Sequence, residues 1–193
     1  MALQVAVLWD GPVLFTRFIE DCGHTCELVT PHLLAAPFFR RRLHGLVIPA
    51  GFACPGHTSV LAALRAIRPR IRRYVEGGGT LLAFGAGSDL FDAYDWLPVP
   101  ITYRYGFSLT SLTQRDHPIP SILEDGNGEV SIDGTVHGTG DDIQSQVILQ
   151  APQGPVMLDI PCGSGRILVA SLHEYPSHRF IREFCARESE GLL

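Results

Sequence analysis

The feature that most constrains the fold is a short apolar run between two glycine-rich turns. Residues 77–79 are three glycines, residues 80–84 read Thr-Leu-Leu-Ala-Phe, and residues 85–88 read Gly-Ala-Gly-Ser. Such a run is typical of a strand buried on both faces, and a Gly-x-Gly turn lets the backbone reverse at its carboxyl end. Ligands of open α/β sheets bind at the carboxyl ends of strands. The stretch therefore predicts a parallel sheet with a site just after residue 84.

The first hundred residues alternate between predicted strands and helices. Strands are predicted over 4–9, 25–29, 45–49 and 80–84, and helices over about 11–22 and 58–76. Pro12 suits the first turn of the first helix. Pro69 interrupts the second helix, so we expect a kink or restart near Arg68. This order predicts parallel pairing with right-handed crossovers.

The second half has a different pattern. After residue 97, short alternating segments around glycines predict antiparallel strands at a sheet edge. Further strands are predicted over 146–150, 156–160 and 166–172, with a hairpin turn at 163–165 and a last helix over about 176–187. The whole pattern predicts one α/β domain over 1–193. It is a flavodoxin-like three-layer sandwich, in which helices flank a mostly parallel sheet with antiparallel strands in its second half.

Composition limits the partners. A net charge of −5 argues against nucleic acid and anionic membranes, which attract excess lysine and arginine. No apolar run approaches the roughly 20 residues of a membrane span, and no basic leader precedes the first strand. Five scattered cysteines are expected of reduced thiols in a cytoplasmic protein. Cys22 and Cys26 lack a second ligand pair, so we expect no metal and no cofactor.

Four blocks of the sequence resemble the class I glutamine amidotransferase-like superfamily. They are residues 8–12, 47–51, 71–87 and 165–173. Their order and spacing are most similar to the biotin-protein ligase N-terminal-like subgroup. The resemblance implies a cysteine nucleophile in a Gly-x-Cys-x-Gly turn, a histidine base and a carboxylate two residues beyond the histidine. It also implies backbone amides that hold the oxyanion.

The chain departs from this family pattern at the catalytic positions. Gly85 stands where the cysteine should be, and His173 takes the histidine position. Tyr175 replaces the carboxylate, while Glu174 comes one residue too early and is expected to face the other way. We interpret Gly85 as relieving the backbone strain that a nucleophile turn imposes on other residues. Ala50 replaces the first glycine of the oxyanion loop that the resemblance implies, a position where we expect a positive φ.

These departures favour a non-catalytic domain that binds a small molecule or a protein partner through the vestigial pocket. The predicted rim consists of Asp10, Gly51, Cys54, Gly85, Ala86 and His173. Asp10 is equally well explained as a cap of the following helix.

Two other hypotheses stay open. The first is an amidase or hydrolase with a relocated nucleophile, Cys54 or Ser88, and His173 as the base. Cys54 is equally well explained as a packed thiol, and Ser88 is equally well explained as a helix cap. The second is an interface role, including a homo-oligomer, for the arginine-rich face over 65–73 or the antiparallel segment. The loop over 137–142 has metal-ligand residue types but is typical of a solvated turn. His117 belongs to no recognisable constellation.

Overall fold

The structure, a computed structural model, describes residues 4–124, 128–139, 146–173, 175–186 and 190–193. The strands in these ranges are β1 Gln4–Leu8, β2 Thr25–Val29, β3 Arg42–Leu43, β4 Gly45–Ile48, β5 Thr80–Ala83, β6 Ile101–Thr110, β7 Thr113–Gln114, β8 Val130–Gly138, β9 Gln146–Ala151, β10 Gly154–Cys162, β11 Gly165–Ala170 and β12 Gly191–Leu192. The helices are α1 Leu14–Asp21, α2 Pro31–Ala35, α3 Val60–Ala66, α4 Arg68–Glu76 and α5 His178–Cys185.

An eight-stranded sheet in the order β2-β1-β4-β5-β11-β10-β9-β7 forms the centre of the molecule. Its first five strands pair in parallel, and the last three are added antiparallel. The carboxyl ends of β1, β4, β5 and β11 therefore meet at one edge, where parallel-sheet proteins hold their ligands. The fold is the predicted α/β flavodoxin-like sandwich.

Helices cover both faces of this sheet. Leu34 of α2, Leu64 of α3 and Ile71 of α4 belong to the apolar core on one face. Ile19 of α1 and Phe180 of α5 belong to the core on the other face. Strands buried on both faces explain why the sequence of β5 is apolar throughout rather than alternating.

A separate two-stranded ribbon, β6 with β8, lies over the carboxyl edge of the sheet. It is attached through an antiparallel bridge between Ile132 and Leu172, just beyond the end of β11. The two flanking hydrogen bonds run from Asp133 N to Ser171 O at 2.8 Å and from His173 N to Ser131 O at 3.0 Å. This attachment brings the ribbon to the position where the sequence predicts a site.

Several local predictions are confirmed and two are wrong. The long predicted helix divides at Ile67 into α3 and α4, as Pro69 requires. Residues 163–164 form the tight turn between β10 and β11. Pro12 does not lie in the first turn of α1, because Val13 is the N-cap and has an extended backbone. The strand predicted over 166–172 ends at Ala170.

No helix of the described ranges is long and apolar enough to cross a bilayer.

Candidate functional site

A buried carboxylate meets His173 at the carboxyl edge of the sheet. His173 Nε2 and Asp133 Oδ1 lie 2.7 Å apart and are hydrogen bonded. The bridge between Ile132 and Leu172 makes Asp133 and His173 diagonal neighbours on one face, and such neighbours are within reach of long side chains. The Asp133 side chain is 1% exposed and the His173 side chain 34% exposed. Asp133 is therefore an internal partner that orients the imidazole.

The second oxygen of Asp133 faces the glycine turn. Gly87 N donates to Asp133 Oδ2 at 2.5 Å. A Cβ atom added to Gly85 would lie 2.5 Å from the same oxygen and 2.8 Å from the Asp133 Cβ. Real Cβ atoms essentially never approach other atoms this closely. The carboxylate of Asp133 thus fills the space that a side chain at position 85 would occupy.

This packing corrects the interpretation of Gly85. The φ angle of Gly85 lies outside the left-handed region. The nearby glycines with a left-handed backbone are Gly51, with a φ of 85°, and Gly87, with a φ of 69°. Gly85 therefore relieves no backbone strain of the kind the sequence interpretation assumed. Its lack of a side chain is required by contact with Asp133. In the loop after β4 the positive φ belongs to Gly51, and Ala50 has an ordinary backbone.

The loop after β4 is fastened to the turn after β5 by backbone hydrogen bonds. Gly51 N donates to Gly85 O at 2.8 Å, and Ala53 N donates to Ala86 O at 3.0 Å. The loops touch so closely that a Cβ on Gly87 would lie 2.7 Å from Gly51 Cα. The amides of Gly51 and Gly87 therefore already have acceptors within the protein.

A pocket of about 180 Å³ opens beside His173. Its other walls are Trp9, Val13, Phe15, Pro49, Ala50, Phe84 and Tyr175. Tyr175 stacks on Phe15 with ring centroids 5.4 Å apart, and Phe107 of β6 meets the His173 ring edge-on at 5.4 Å. Tyr175 is 48% exposed and Phe107 62% exposed. The pocket is a largely aromatic cavity, and the polar side chains on its wall are those of His173, Tyr175 and Trp9.

Of the six predicted rim residues, His173 lines this pocket, whereas the others lie in the loops behind it. Ala86 is fully buried. Asp10 accepts hydrogen bonds from Thr58 Oγ1 and from Ser59 Oγ and N. Although partial burial acts to raise the pKa of Asp10, these hydrogen bonds lower it below its ordinary value. Asp10 thus joins the loop after β1 to the start of α3.

The two candidate replacement nucleophiles have other partners. Cys54 Sγ donates to Gly87 O at 2.8 Å. Burial, and then the charge of Asp133, raise the pKa of the Cys54 thiol. Ser88 is buried, and its Oγ accepts from Leu90 N at 3.3 Å. Neither side chain is hydrogen bonded to His173 in the described part of the chain.

Sequence reasoning missed Asp133 because its partner is 40 residues away. The alternation of Val130, Ile132 and Val136 leaves Asp133 on the opposite side of β8, which the pattern assigns to solvent. The structure buries that side as well. The available signal is weak, because it consists of one carboxylate in a strand that contains no other Asp or Glu.

A second buried polar cluster also has members far apart in sequence. Asp159 Oδ2 accepts from Arg166 Nη2 at 2.7 Å, and His117 Nε2 lies 3.3 Å from the same oxygen. This cluster lies at the opposite end of β11 from His173, since Arg166 begins the strand. Glu174 and residues 140–142, which the sequence also singles out, lie outside the described residues.

Solved structures share this fold at low sequence identity. A protein from Thermoplasma acidophilum, provisionally assigned as one of the subunits of GMP synthase, is 14% identical, with a TM-score of 0.60 over 96% of this chain and 95% of its own. A cytoplasmic protein from Salmonella typhimurium is 12% identical, with a TM-score of 0.55 over 99% of this chain and 100% of its own. No protein-family model matches the chain, and no curated protein matches it.

The fold also occurs as one part of larger enzymes. The β-galactosidase of Bacillus circulans sp. alkalophilus is 14% identical, with a TM-score of 0.54 over 93% of this chain. The match spans only 30% of the β-galactosidase chain. The fold is therefore an α/β sandwich that also occurs in the GMP synthase subunit-like protein and in one part of this β-galactosidase. At these identities the likeness concerns the fold alone.

Proposed function

We propose that this protein is a non-catalytic glutamine amidotransferase-like domain that binds a small molecule through the aromatic pocket beside His173. One observation carries the proposal. The carboxylate of Asp133 fills the space next to Gly85 in which an attacking side chain would have to stand, and it is hydrogen bonded to His173. The biotin-protein ligase N-terminal-like subgroup is the family context that the sequence blocks suggest.

Two further contacts argue against acyl transfer at this position. An oxyanion needs preorganised donors that are unoccupied before the reaction. The amide of Gly51 already donates to Gly85 O, and the amide of Gly87 donates to Asp133. A substrate carbonyl would have to displace a buried carboxylate before it could reach the Gly87 amide. Such buried, fully bonded carboxylates are costly to move.

The relocated-nucleophile alternative has less support. A nucleophile needs a base within hydrogen-bond reach, and a cysteine needs a lowered pKa. The pKa of Cys54 is raised instead, and its thiol donates to a backbone carbonyl. Ser88 Oγ is buried in the turn that it stabilises.

The pocket favours a small ligand with an apolar or aromatic body and one polar group. Its volume of about 180 Å³ is below the roughly 300–1,000 Å³ of pockets for drug-sized ligands. Aromatic walls favour offset or edge-to-face ring contacts. The imidazole of His173, held in place by Asp133, and the hydroxyl of Tyr175 are polar contacts that the pocket wall offers to a ligand. A protein partner is the second candidate, because Tyr105, Phe107 and Leu109 leave apolar surface exposed on β6 next to the pocket.

Two measurements test the proposal. Purified protein should release no ammonia from glutamine or simple amides above background; turnover that His173→Ala abolishes would contradict the non-catalytic assignment. Phenol, used as a small aromatic probe, should change the intrinsic tryptophan fluorescence, to which Trp9 and Trp96 both contribute, and raise the melting temperature. Tyr175→Ala should weaken this response, whereas Phe38→Ala, which removes a more exposed ring outside the pocket, should leave it unchanged.

A further inference from the structure

We infer that a small cavity lined by Arg40, Arg70 and Arg73 is a binding site for a phosphate group, carried either by inorganic phosphate or by a small phosphate ester. The cavity has a volume of about 100 Å³. It lies beside β3 and β12, at the amino ends of the parallel strands, whereas His173 follows the carboxyl end of β11. Its remaining walls are Pro37, Phe39, Leu192 and Leu193.

Arg70 is the anchored member of the site. Its Nη1 donates to Leu34 O at 2.9 Å and to Ala36 O at 3.3 Å. Its Nη2 donates to Phe39 O at 2.6 Å, and the guanidinium lies over the Phe39 ring, 5.9 Å from the centroid. A guanidinium has five N–H donors, so two remain for a ligand. Because the side chain is already ordered, binding costs little further rotamer entropy.

Arg40 and Arg73 complete the positive wall. Neither forms an ion pair or a side-chain hydrogen bond with any residue of the described ranges. Both side chains are exposed and can turn toward the cavity. Three neighbouring arginines that do not line the cavity form ion pairs: Arg41 with Glu27 at 3.6 Å, Arg42 with Glu190 at 3.5 Å and Arg72 with Glu76 at 3.8 Å.

The three guanidinium groups repel one another. Burial first, and then the charges of Arg40 and Arg73, lower the pKa of Arg70. No Asp or Glu lines the cavity, and the main-chain oxygen of Leu193, which does, accepts from Arg41 N at 3.1 Å. A phosphate dianion would relieve the repulsion and accept charge-assisted hydrogen bonds, for which planar guanidinium groups are well suited.

The surroundings favour a small phosphate compound over a nucleic acid. The chain as a whole carries a charge of −5, so a polyanion would be repelled outside this patch. The cavity suits a single phosphate group rather than a larger anion. Phe39 and Leu192 offer apolar contact to a carbon body attached to that phosphate.

Isothermal titration calorimetry with sodium phosphate and with phenyl phosphate tests the site, with sodium chloride keeping the ionic strength constant. The test variant is Arg40→Ala with Arg73→Ala; Arg70 is left intact because its bonds hold the loop after α2. The matched control is Arg68→Ala with Arg72→Ala. It removes the same charge, and neither of its residues lines the cavity.

Wild type and the control should bind phosphate saturably, with similar affinity. The test variant should bind it at least about a hundredfold more weakly, since each lost hydrogen bond to a charged group contributes about tenfold. Phenyl phosphate binding more tightly than phosphate would identify an ester as the ligand class; equal or weaker binding would identify inorganic phosphate. No saturable binding to wild type, or equal weakening in both double variants, would overturn the inference.

Discussion

Gly85→Ala is the sharpest test of how the candidate site is built. The added Cβ would lie 2.5, 2.8 and 2.9 Å from Oδ2, Cβ and Cγ of Asp133. The backbone of Gly85 is not left-handed, so the substitution adds no φ strain. Its whole effect should come from displacing a carboxylate that is 1% exposed.

The expected cost follows from two terms. Overpacking a well-packed interior costs about 1–3 kcal/mol. Moving the carboxylate also weakens its bonds to His173 Nε2 and Gly87 N, and a hydrogen bond to a charged group contributes about 1.5–3 kcal/mol. We expect Gly85→Ala to lower the free energy of unfolding by about 3–5 kcal/mol. The melting temperature should fall by roughly 6–20 °C for a domain of this size.

The assay is urea unfolding of a double-mutant cycle with Asp133→Gly. Glycine is chosen because the Asp133 Cβ is itself in the contact. Once Asp133 is removed, Gly85→Ala should cost little, so nearly its whole wild-type cost should appear as coupling between the two changes, about 3 kcal/mol or more. Gly106→Ala is the control, since its Cβ would meet nothing within 4 Å; it should stay within about 0.5 kcal/mol of wild type. Additive effects, or a single variant as stable as wild type, would refute the reasoning.

Two further predictions concern other buried groups. Burial, and then the charge of a nearby carboxylate, raise the pKa of Cys54, so iodoacetamide should label this thiol slowly at pH 7, and the labelling rate should keep rising above pH 8.5. Cys26, whose pKa is raised to about 12 by burial, should react still more slowly. Rapid and selective labelling of Cys54 near neutral pH would contradict this order. Arg166→Ala should lower the free energy of unfolding, measured in urea, by about 3–5 kcal/mol, because the substitution leaves the Asp159 carboxylate buried without its guanidinium partner. Arg115→Ala, the control at an exposed position, should change the free energy of unfolding by less than about 0.5 kcal/mol.

The sequence by itself determined the parallel half of the fold. An apolar run between glycines predicts a buried strand such as β5, and Pro69 predicts the break between α3 and α4. Both signals can be read from the sequence because they depend only on neighbours within a few residues. The position of His173 at the carboxyl edge also follows, since parallel strands align their ends and the histidine comes just after β11.

Only the tertiary structure decided what stands opposite that histidine. Asp133 reaches His173 through a bridge between residues 40 positions apart, and no local pattern encodes such a pairing. The same contact changes the meaning of Gly85: the sequence suggests a turn freed of strain, whereas the structure shows a space filled by another residue's carboxylate. The identity of a residue is local, but the volume available to it is set by every segment that packs against it.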